Sequence, residues 1–175
     1  MKGVILAGGL GTRLLPMTRV TNKHLLPVYD RPMICYPIQQ LVTSGIEDIL
    51  VVTGGDSAGD FLKLLGNGEA FRLKSLSYAY QDGEGGIAQA LSLARDFSAG
   101  EPLVVLLGDN VFQDSISEAI ELYSQGGGAM ILLKEVDDPE RFGVAVLESG
   151  RLVEIVEKPE NPPSRFAVTG CYFFD

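Results

Sequence analysis

Residues 2–13 read Lys-Gly-Val-Ile-Leu-Ala-Gly-Gly-Leu-Gly-Thr-Arg, and the rest of the chain is organised around this stretch. The apolar run at 2–7 predicts a buried β-strand. Three glycines follow within four positions, at Gly8, Gly9 and Gly11, and remove the side chains that would keep backbone N–H groups away from a ligand. Successive N–H groups in such a turn form a concavity that binds anions. The stretch therefore predicts a strand that ends in a phosphate-binding loop.

Arg13 follows the last glycine by two residues, and its planar guanidinium is suited to bridging phosphate oxygens. Two familiar phosphate-binding motifs do not fit the spacing. A dinucleotide fingerprint that used Gly9 and Gly11 would need a third glycine at the position of Leu14. A P-loop would end in Gly-Lys-Ser or Gly-Lys-Thr, whereas Gly11 is followed by Thr12 and Arg13. A purely structural turn between a strand and a helix stays open as the alternative.

Length and charge narrow the class of protein. The chain has 175 residues, which fits one domain with a sizeable core, and its formal net charge is −9, which argues against a nucleic-acid partner. Residues 1–31 nevertheless hold five basic side chains and one acidic side chain. A small basic region on an acidic body suits a compact polyanion, with chance clustering as the alternative. Without a membrane-span or signal pattern, we expect a cytoplasmic protein that binds no membrane.

Strand and helix patterns alternate over the first two thirds of the chain. Apolar runs predict strands at 48–53, 76–80 and 103–107. Helices are expected at 33–44, with Pro32 at the first helical position, and at 56–65, 87–97 and 115–123. The segment 14–30 contains two prolines and is expected to be irregular.

The last third of the chain has an antiparallel pattern. It predicts a strand at 129–135, a hairpin formed by 144–147 and 152–156, and a final strand at 167–174. The expected fold is an α/β three-layer sandwich with a mixed sheet. Cys35 and Cys171 lie in apolar segments without metal-ligand spacing, which predicts buried free thiols.

Ligands of open α/β sheets bind beyond the carboxyl ends of the strands, where we expect the loops 8–13, 81–86, 108–110 and 158–165. Asp109 follows a wholly apolar strand and is the candidate ligand for Mg²⁺, which takes one or two carboxylates together with phosphate oxygens and water. The alternative role for this carboxylate is to cap the following helix or turn.

Three polar residues near these loops are candidates for ligand contact. Lys23 is expected to contact phosphate, with a surface lysine that covers apolar neighbours as the alternative. His24 is the only histidine, and we expect it to be structural or exposed because a phosphate nucleophile needs no general base. Gln81 has an amide that can read the edge of a base, and a loop side chain turned to solvent is the alternative.

Glu157 and Lys158 close the predicted hairpin and precede Pro159. The proline is expected to push Lys158 toward an extended conformation. Alternation along a strand puts the two side chains on opposite faces. Both can reach one ligand only if the strand bends or bulges at this point.

Together these motifs resemble those of the sugar-phosphate nucleotidyltransferases. The segments that carry the resemblance keep their order along the chain and lie at 6–14, 23–28, 31–34, 86–90, 107–110, 138–144, 157–159 and 167–170. The resemblance implies a Rossmann-like nucleotide-diphosphosugar transferase fold, with residues 1–175 as a single nucleotidyltransferase domain that lacks the family's C-terminal portion. It also implies that dTTP and α-D-glucose 1-phosphate react to give dTDP-glucose and pyrophosphate, a precursor of dTDP-rhamnose, with Mg²⁺ as the cofactor.

The resemblance further implies which residues form the site. Those expected to bind the nucleotide are Leu6, Gly8, Gly9, Gly11, Thr12, Arg13, Gln81, Gly86 and Asp109. Those expected to bind the sugar phosphate are Phe142, Gly143, Glu157, Lys158 and Val168. The catalytic cations are Arg13, Lys23 and Lys158, which oppose the charge of two polyanions, and Asp109 is the implied metal ligand.

Two departures from the family pattern leave alternatives open. Phe142 stands where close relatives often have tyrosine, and the family's second metal-binding aspartate lies in the portion that this chain lacks. Specificity for UTP or for another hexose 1-phosphate therefore remains an alternative, as does a nucleotide-binding module without turnover. Members of the family are often homo-oligomers, so we expect self-association as well.

Overall fold

The structure is a computed structural model that describes residues 1–9, 11–83 and 85–175. Within these residues the strands are β1 (Lys2–Leu6), β2 (Pro27–Val28), β3 (Arg31–Pro32), β4 (Asp48–Gly54), β5 (Ser75–Gln81), β6 (Leu103–Leu107), β7 (Ala129–Glu135), β8 (Gly143–Glu148), β9 (Arg151–Glu157) and β10 (Phe166–Phe174). The α-helices are α1 (Cys35–Thr43), α2 (Ala58–Leu65), α3 (Gly86–Ser92), α4 (Arg95–Ser98) and α5 (Ser117–Gly126). None of the helices in these ranges has the length and apolar character needed to cross a membrane.

The main sheet is mixed, as expected from the sequence. Its strands follow the order β5-β4-β1-β6-β10-β8-β9, and β7 pairs with β10. The pairs among β5, β4, β1 and β6 are parallel, whereas those of β10 with β6, β7 and β8 are antiparallel. The pairing of β10 with β7 shifts register between Val168 and Tyr172, so β10 bends where it joins the two halves of the sheet.

Two apolar layers cover the parallel half of the sheet. Successive residues of β1, such as Val4 and Ile5, belong to different core clusters, because neighbouring side chains on a strand point to opposite faces. One cluster includes Phe61 of α2 and Ile38 of α1, and the other includes Ala90 of α3. Helices therefore lie on both faces of the sheet, which confirms the three-layer sandwich.

The structure moves three predicted helix boundaries. Pro32 is not the first residue of a helix: it lies in β3 and pairs with Pro27, and α1 begins only at Cys35. The N–H groups of Met33 and Ile34 are taken up by the carbonyls of Leu26 and His24, so this segment is bound to the preceding loop before the helix begins.

The helix predicted at 87–97 is divided into α3 and α4. The N–H groups of Leu93 and Ala94 donate to the carbonyls of Ala90 and Leu91, three residues earlier, which tightens the turn between the two helices. The last helix, α5, begins two residues later than expected, because the hydroxyl of Ser115 accepts a hydrogen bond from the N–H of Ser117.

The predicted irregular segment and the two thiols agree with the structure. Short 3-10 turns follow the glycine loop at Thr12–Leu14, Met17–Arg19 and Lys23–Leu25, before the β2–β3 hairpin. Cys35 and Cys171 are buried and free. Burial raises the pKa of the Cys171 thiol to about 12, which keeps it protonated near neutral pH.

Candidate active site

A cavity of about 270 Å³ opens at the edge of the sheet where the parallel strands end. We call it the central cavity. The predicted residues that line it are Leu6, Gly8, Gly9, Lys23, Gln81, Gly86 and Asp109. The parallel strands thus bring residues from four separate segments of the chain to one place, as expected for ligand sites in open α/β sheets.

Lys23 and Asp109 form an ion pair inside this cavity. The Nζ atom of Lys23 lies 2.5 Å from Oδ2 of Asp109, and the two side chains are 26% and 36% exposed. Partial burial acts to raise the pKa of Asp109, but the hydrogen bond and the positive charge from Lys23 outweigh it and lower the pKa. The pair places a cation and a carboxylate together at the end of β6.

His24 is buried at the central cavity and is not an exposed residue, and its hydrogen bonds are those expected of a structural histidine. Its backbone N–H donates to Oδ1 of Asn22 at 3.0 Å, and its ring Nδ1 lies 2.7 Å from the same oxygen. Burial, together with the charge of Lys23, lowers the pKa of His24 to about 4, so the ring is neutral near pH 7. A Cβ atom at Gly108 would lie 2.9 Å from Cδ2 of His24, so the glycine makes room for this ring.

The glycine loop has the backbone that its composition predicts. Gly9 and Gly11 have φ values of 106° and 61°, in the region that favours glycine. The carbonyl of Gly11 accepts a hydrogen bond from Oγ1 of Thr18 at 2.8 Å. A Cβ atom at Gly11 would lie 3.1 Å from the Cβ of Lys23, so the loop packs directly on the segment that carries this lysine. Leu10, inside the predicted loop, and Glu84, inside the predicted 81–86 loop, lie outside the described residues.

Gln81 is buried rather than turned to solvent. Its Nε2 donates to the carbonyl of Gly86 at 3.1 Å and to Oε1 of Gln89 at 2.8 Å. Gln81 lines the central cavity and also a neighbouring cavity of about 550 Å³, which we call the outer cavity. Gly8 and Gly9 lie between the two and contribute to both.

A third cavity, of about 600 Å³, lies beside the β8–β9 hairpin, and we call it the hairpin cavity. The predicted sugar-phosphate residues that line it are Phe142, Gly143, Glu157 and Val168. Asp109, Leu107 and Ile87 line both this cavity and the central cavity. The two cavities therefore meet at Asp109.

Four predicted residues lie outside these linings. Gly11 lines none of the three cavities, although it packs against the segment that carries Lys23. Thr12 and Arg13 are exposed and line neither the central nor the outer cavity. Lys158 is exposed beside the hairpin cavity, with Nζ 3.4 Å from Oε1 of Glu157. The structure thus brings together Gly8, Gly9, Lys23, Gln81 and Asp109. It leaves Thr12, Arg13 and Lys158 exposed outside the cavities.

The expectation of an extended backbone at Lys158 is wrong. Its φ is 44°, in the left-handed region, although Pro159 follows. The N–H of Lys158 donates to the carbonyl of Phe142 at 2.9 Å, which extends the hydrogen bonding of β8 and β9 by one residue. The backbone turns at Lys158 itself, and this turn brings its Nζ to the carboxylate of Glu157.

Sequence reasoning missed two residues that shape the site. The amide nitrogen of Asn110 donates a short hydrogen bond to the carbonyl of Thr169, which ties the end of β6 to the bend in β10. Gln89 accepts the hydrogen bond from Gln81. The segments that carry the family resemblance include both residues, but no local pattern indicates their partners, which lie 59 and 8 positions away.

A divalent metal would find a single carboxylate in the central cavity. In the ranges that the structure describes, no three His, Cys, Asp or Glu side chains come together in a metal-binding cluster. Asp109 alone fits Mg²⁺ only if phosphate oxygens and water complete the coordination, which is the usual arrangement for this ion.

The chain belongs to the nucleotidyl transferase family, whose family model matches residues 2–175. It is 47% identical to the glucose-1-phosphate thymidylyltransferase of Neisseria meningitidis serogroup A, with all of this chain and 62% of that protein aligned. It is 44% identical to the enzyme of the same name from Xanthomonas campestris pv. campestris, with 99% of this chain and 60% of that protein aligned.

Solved structures show the same relationship. A Bacillus anthracis protein assigned as a glucose-1-phosphate thymidylyltransferase, solved with sucrose, superposes with a TM-score of 0.95 at 50% identity over all of this chain and 71% of its own. A UDP-glucose pyrophosphorylase in complex with UDP-glucose superposes with a TM-score of 0.82 at 27% identity, covering 99% of this chain and 75% of its own. The chain spans about three fifths of the length of the two thymidylyltransferases from Neisseria meningitidis and Xanthomonas campestris.

Proposed function

We propose that the protein transfers a thymidylyl group from dTTP to α-D-glucose 1-phosphate, giving dTDP-glucose and pyrophosphate. One observation carries the proposal. A cavity lined by the glycine loop and Gln81 meets a second cavity lined by the hairpin residues, and Asp109 and the Lys23–Asp109 ion pair lie at the junction. Two substrates that must react at a phosphate group need such a junction.

The nucleotide is assigned to the central cavity. The N–H groups around Gly8, Gly9 and Gly11 suit the triphosphate, because these residues leave the backbone open to an anion. Thr12 and Arg13 follow at the exposed edge of the loop. The long side chain of Arg13 is assigned to the phosphates, which requires it to turn inward when the nucleotide binds. Gln81 and Gly86 line the same cavity and are assigned to read the base, and Leu6 supplies apolar contact.

The sugar phosphate is assigned to the hairpin cavity. The carboxylate of Glu157 lines this cavity and can accept hydrogen bonds from sugar hydroxyls. Gly143 leaves space for that carboxylate, since a Cβ atom there would lie 3.1 Å from its Oε2. Phe142 and Val168 supply apolar walls, and Lys158 at the rim provides positive charge for the phosphate.

The reaction needs positioning and charge rather than proton transfer. A phosphate oxygen of the sugar phosphate forms a bond to the α-phosphorus of dTTP, the bond from that phosphorus to the bridging oxygen breaks, and its electron pair leaves with pyrophosphate. The nucleophile is already an anion. Lys23, Arg13 and Lys158 are assigned to offset the combined negative charge of the two substrates.

Mg²⁺ is part of the proposal, with Asp109 as its protein ligand. When bound with phosphate oxygens, the ion would neutralise charge that develops on the triphosphate. Lys23 remains beside the same carboxylate and is assigned to orient it. A cytoplasmic location also belongs to the proposal and is supported by the two buried thiols that remain unpaired.

Pyrophosphate release from dTTP, glucose 1-phosphate and Mg²⁺ tests this function. We expect turnover by the unaltered chain and a fall of about a hundredfold in kcat/KM for Arg13→Ala. The matched control is Arg72→Ala, which removes another exposed arginine outside the described cavity linings. Activity that is unaffected by Arg13→Ala would contradict the role of the loop, and dTTP binding without product would favour a binding module.

UTP is the second candidate nucleotide, and one observation favours it. The Gln81 amide oxygen is the group left free to meet the base, and thymine and uracil present the same imide N–H to an acceptor. A panel of dTTP, UTP and ATP against hexose 1-phosphates separates the candidates. Use of ATP as efficiently as dTTP would contradict base reading by Gln81.

A further inference from the structure

The side chain of Gln89 folds back across the beginning of α3 to reach Gln81. Its Oε1 accepts a hydrogen bond from Nε2 of Gln81 at 2.8 Å, and the same nitrogen donates to the carbonyl of Gly86 at 3.1 Å. The amide nitrogen of a glutamine carries two N–H donors. Both are therefore taken by acceptors on the side of α3.

These two acceptors determine which way the Gln81 amide faces. The carbonyl of Gly86 can only accept, so a flipped amide would set an oxygen against it and lose that bond. With the Gln89 amide in its present orientation, the flipped amide would lose the second bond as well. In the observed orientation, Oε1 of Gln81 lies 3.0 Å from the position of a Cβ atom on Gly8, at the wall of the central cavity. No donor among the described residues bonds to this oxygen.

Gly85 makes this arrangement possible. A Cβ atom at Gly85 would lie 1.9 Å from Oε1 of Gln89, a distance that the Gln89 side chain could not tolerate. Gly85 has a φ of −77°, which any residue adopts, so its lack of a side chain matters for space rather than for backbone conformation. Because Gly85 has no side chain, there is space beside it for the side-chain amide of Gln89.

We propose that Gln89 is a positioning residue that holds the amide oxygen of Gln81 toward the nucleotide, so that the site selects pyrimidine bases that carry a hydrogen on N3. The inference rests on the proposed function for the assignment of Gln81 as the base reader. Thymine and uracil offer N3–H to an acceptor. Cytosine has a bare acceptor nitrogen at N3, which would face the oxygen of Gln81 and be rejected.

Calorimetric binding of dTTP and dCTP to the full chain tests the proposal. Its readout is the ratio of the two dissociation constants. A general loss of stability would weaken the binding of both nucleotides and leave this ratio unchanged. Gln89→Met removes the acceptor oxygen. Gly85→Ala keeps the glutamine but pushes its side-chain oxygen out of its present position. In both variants we expect the preference for dTTP over dCTP to fall about tenfold, the equivalent of one hydrogen bond to the base.

Two further variants complete the design. Gln89→Glu keeps an acceptor for the Gln81 amide, and we expect it to retain the preference of the unaltered chain. Gln39→Met makes the same chemical change at an exposed position of α1 outside the central cavity, and it should also retain the preference. A preference that survives in both Gln89→Met and Gly85→Ala would overturn the inference, as would equal binding of dTTP and dCTP by the unaltered chain.

The same measurements separate this inference from the proposed function. An unaltered chain that binds neither nucleotide contradicts the proposed function itself. If Gln89→Met weakens dTTP and dCTP equally and lowers the midpoint of thermal unfolding, Gln89 is structural and the positioning role is wrong.

Discussion

The parallel and antiparallel halves of the sheet hold their candidate site residues in different ways. In the parallel half, Lys23 is bonded to Asp109, Gln81 to Gln89, and His24 to Asn22, all within or against a buried core. In the antiparallel half, Glu157 and Lys158 are 72% and 49% exposed and are paired with each other. The residues around the central cavity are thus held by hydrogen bonds and burial, whereas the charged groups beside the hairpin cavity lie in water.

The packing of the strands explains this difference. Strands β1, β4 and β6 have neighbours on both edges and helices over both faces, and most of their residues are buried. Strand β9 has one neighbour and ends the sheet, and Val153 and Ile155 on it are 52% and 41% exposed. A central strand constrains the residues at its end, and an edge strand constrains them less.

The largest expected effect is on stability, and a matched pair of leucines measures it. Leu106→Ala in β6 removes a fully buried side chain and should lower the free energy of unfolding by about 2–5 kcal/mol. Leu152→Ala in β9 removes a side chain that is 38% exposed and should cost less than about 1 kcal/mol. Urea unfolding of the two variants checks both values. Equal losses of stability would contradict the claim that β6 is more tightly packed than β9.

A matched pair of carboxylates measures the next effect, on the proposed reaction. Asp109→Asn should reduce kcat by about a hundredfold, because it weakens metal binding and the ion pair with Lys23 together. Glu157→Gln should chiefly raise KM for glucose 1-phosphate, by about tenfold, because it removes only the strong acceptor of the sugar side. Steady-state kinetics with each substrate varied in turn distinguishes the two. A fall in kcat of the same size for both variants would contradict separate roles.

The third effect is a pH dependence of stability that arises from His24. The folded-state pKa of about 4 lies below the ordinary value of 6.5, so the unfolded chain binds more protons between these pH values. The contribution of neutral His24 to stability is therefore complete above pH 6.5 and is lost as pH falls toward 4. We expect a slope of at most about 1.4 kcal/mol per pH unit from this residue.

His24→Gln provides the comparison for that slope. Glutamine does not titrate in this range, so the variant should lose stability less steeply than the unaltered chain between pH 6.5 and 4. Urea unfolding at several pH values checks the difference of the two slopes. Parallel curves would show that the ring is not held neutral by its burial.

The smallest expected effect belongs to the sugar side. Phe142 lines the hairpin cavity and is 36% exposed, so Phe142→Tyr adds a hydroxyl where water already reaches. KM for glucose 1-phosphate should change by roughly twofold to fivefold, and KM for dTTP should not change. Kinetics with two hexose 1-phosphates measures this. A change in KM for dTTP of the same size would contradict the separation of the two cavities.

Local patterns predicted most of the fold. The apolar run at 103–107 corresponds to β6 residue for residue, because a buried central strand needs apolar side chains on both faces. The three glycines correctly indicated a loop after β1, and Gly9 and Gly11 in it have positive φ. The errors at Pro32 and at 93–94 have another origin, since both depend on hydrogen bonds and packing beyond the local pattern.

Sequence reasoning named residues that the structure places around the central cavity, but it did not give their contacts. Local pattern indicated Lys23, Gln81 and Asp109 individually, and it also indicated Arg13 and Lys158, which the structure leaves exposed at the margins. It gave no indication that Lys23 and Asp109 form an ion pair across 86 positions, or that Gln89 receives the amide of Gln81.

The sequence by itself determined the alternation of strands and helices, the glycine loop and the chemical types of the site residues, because periodicity and composition act over a few neighbouring positions. Only the tertiary structure decided which of these residues meet, which cavity each one lines and which way the Gln81 amide faces. These contacts depend on the pairing of β1 with β6 and on the hydrogen bond between Gln89 in α3 and Gln81 in β5. Both bring together atoms that are separated along the chain.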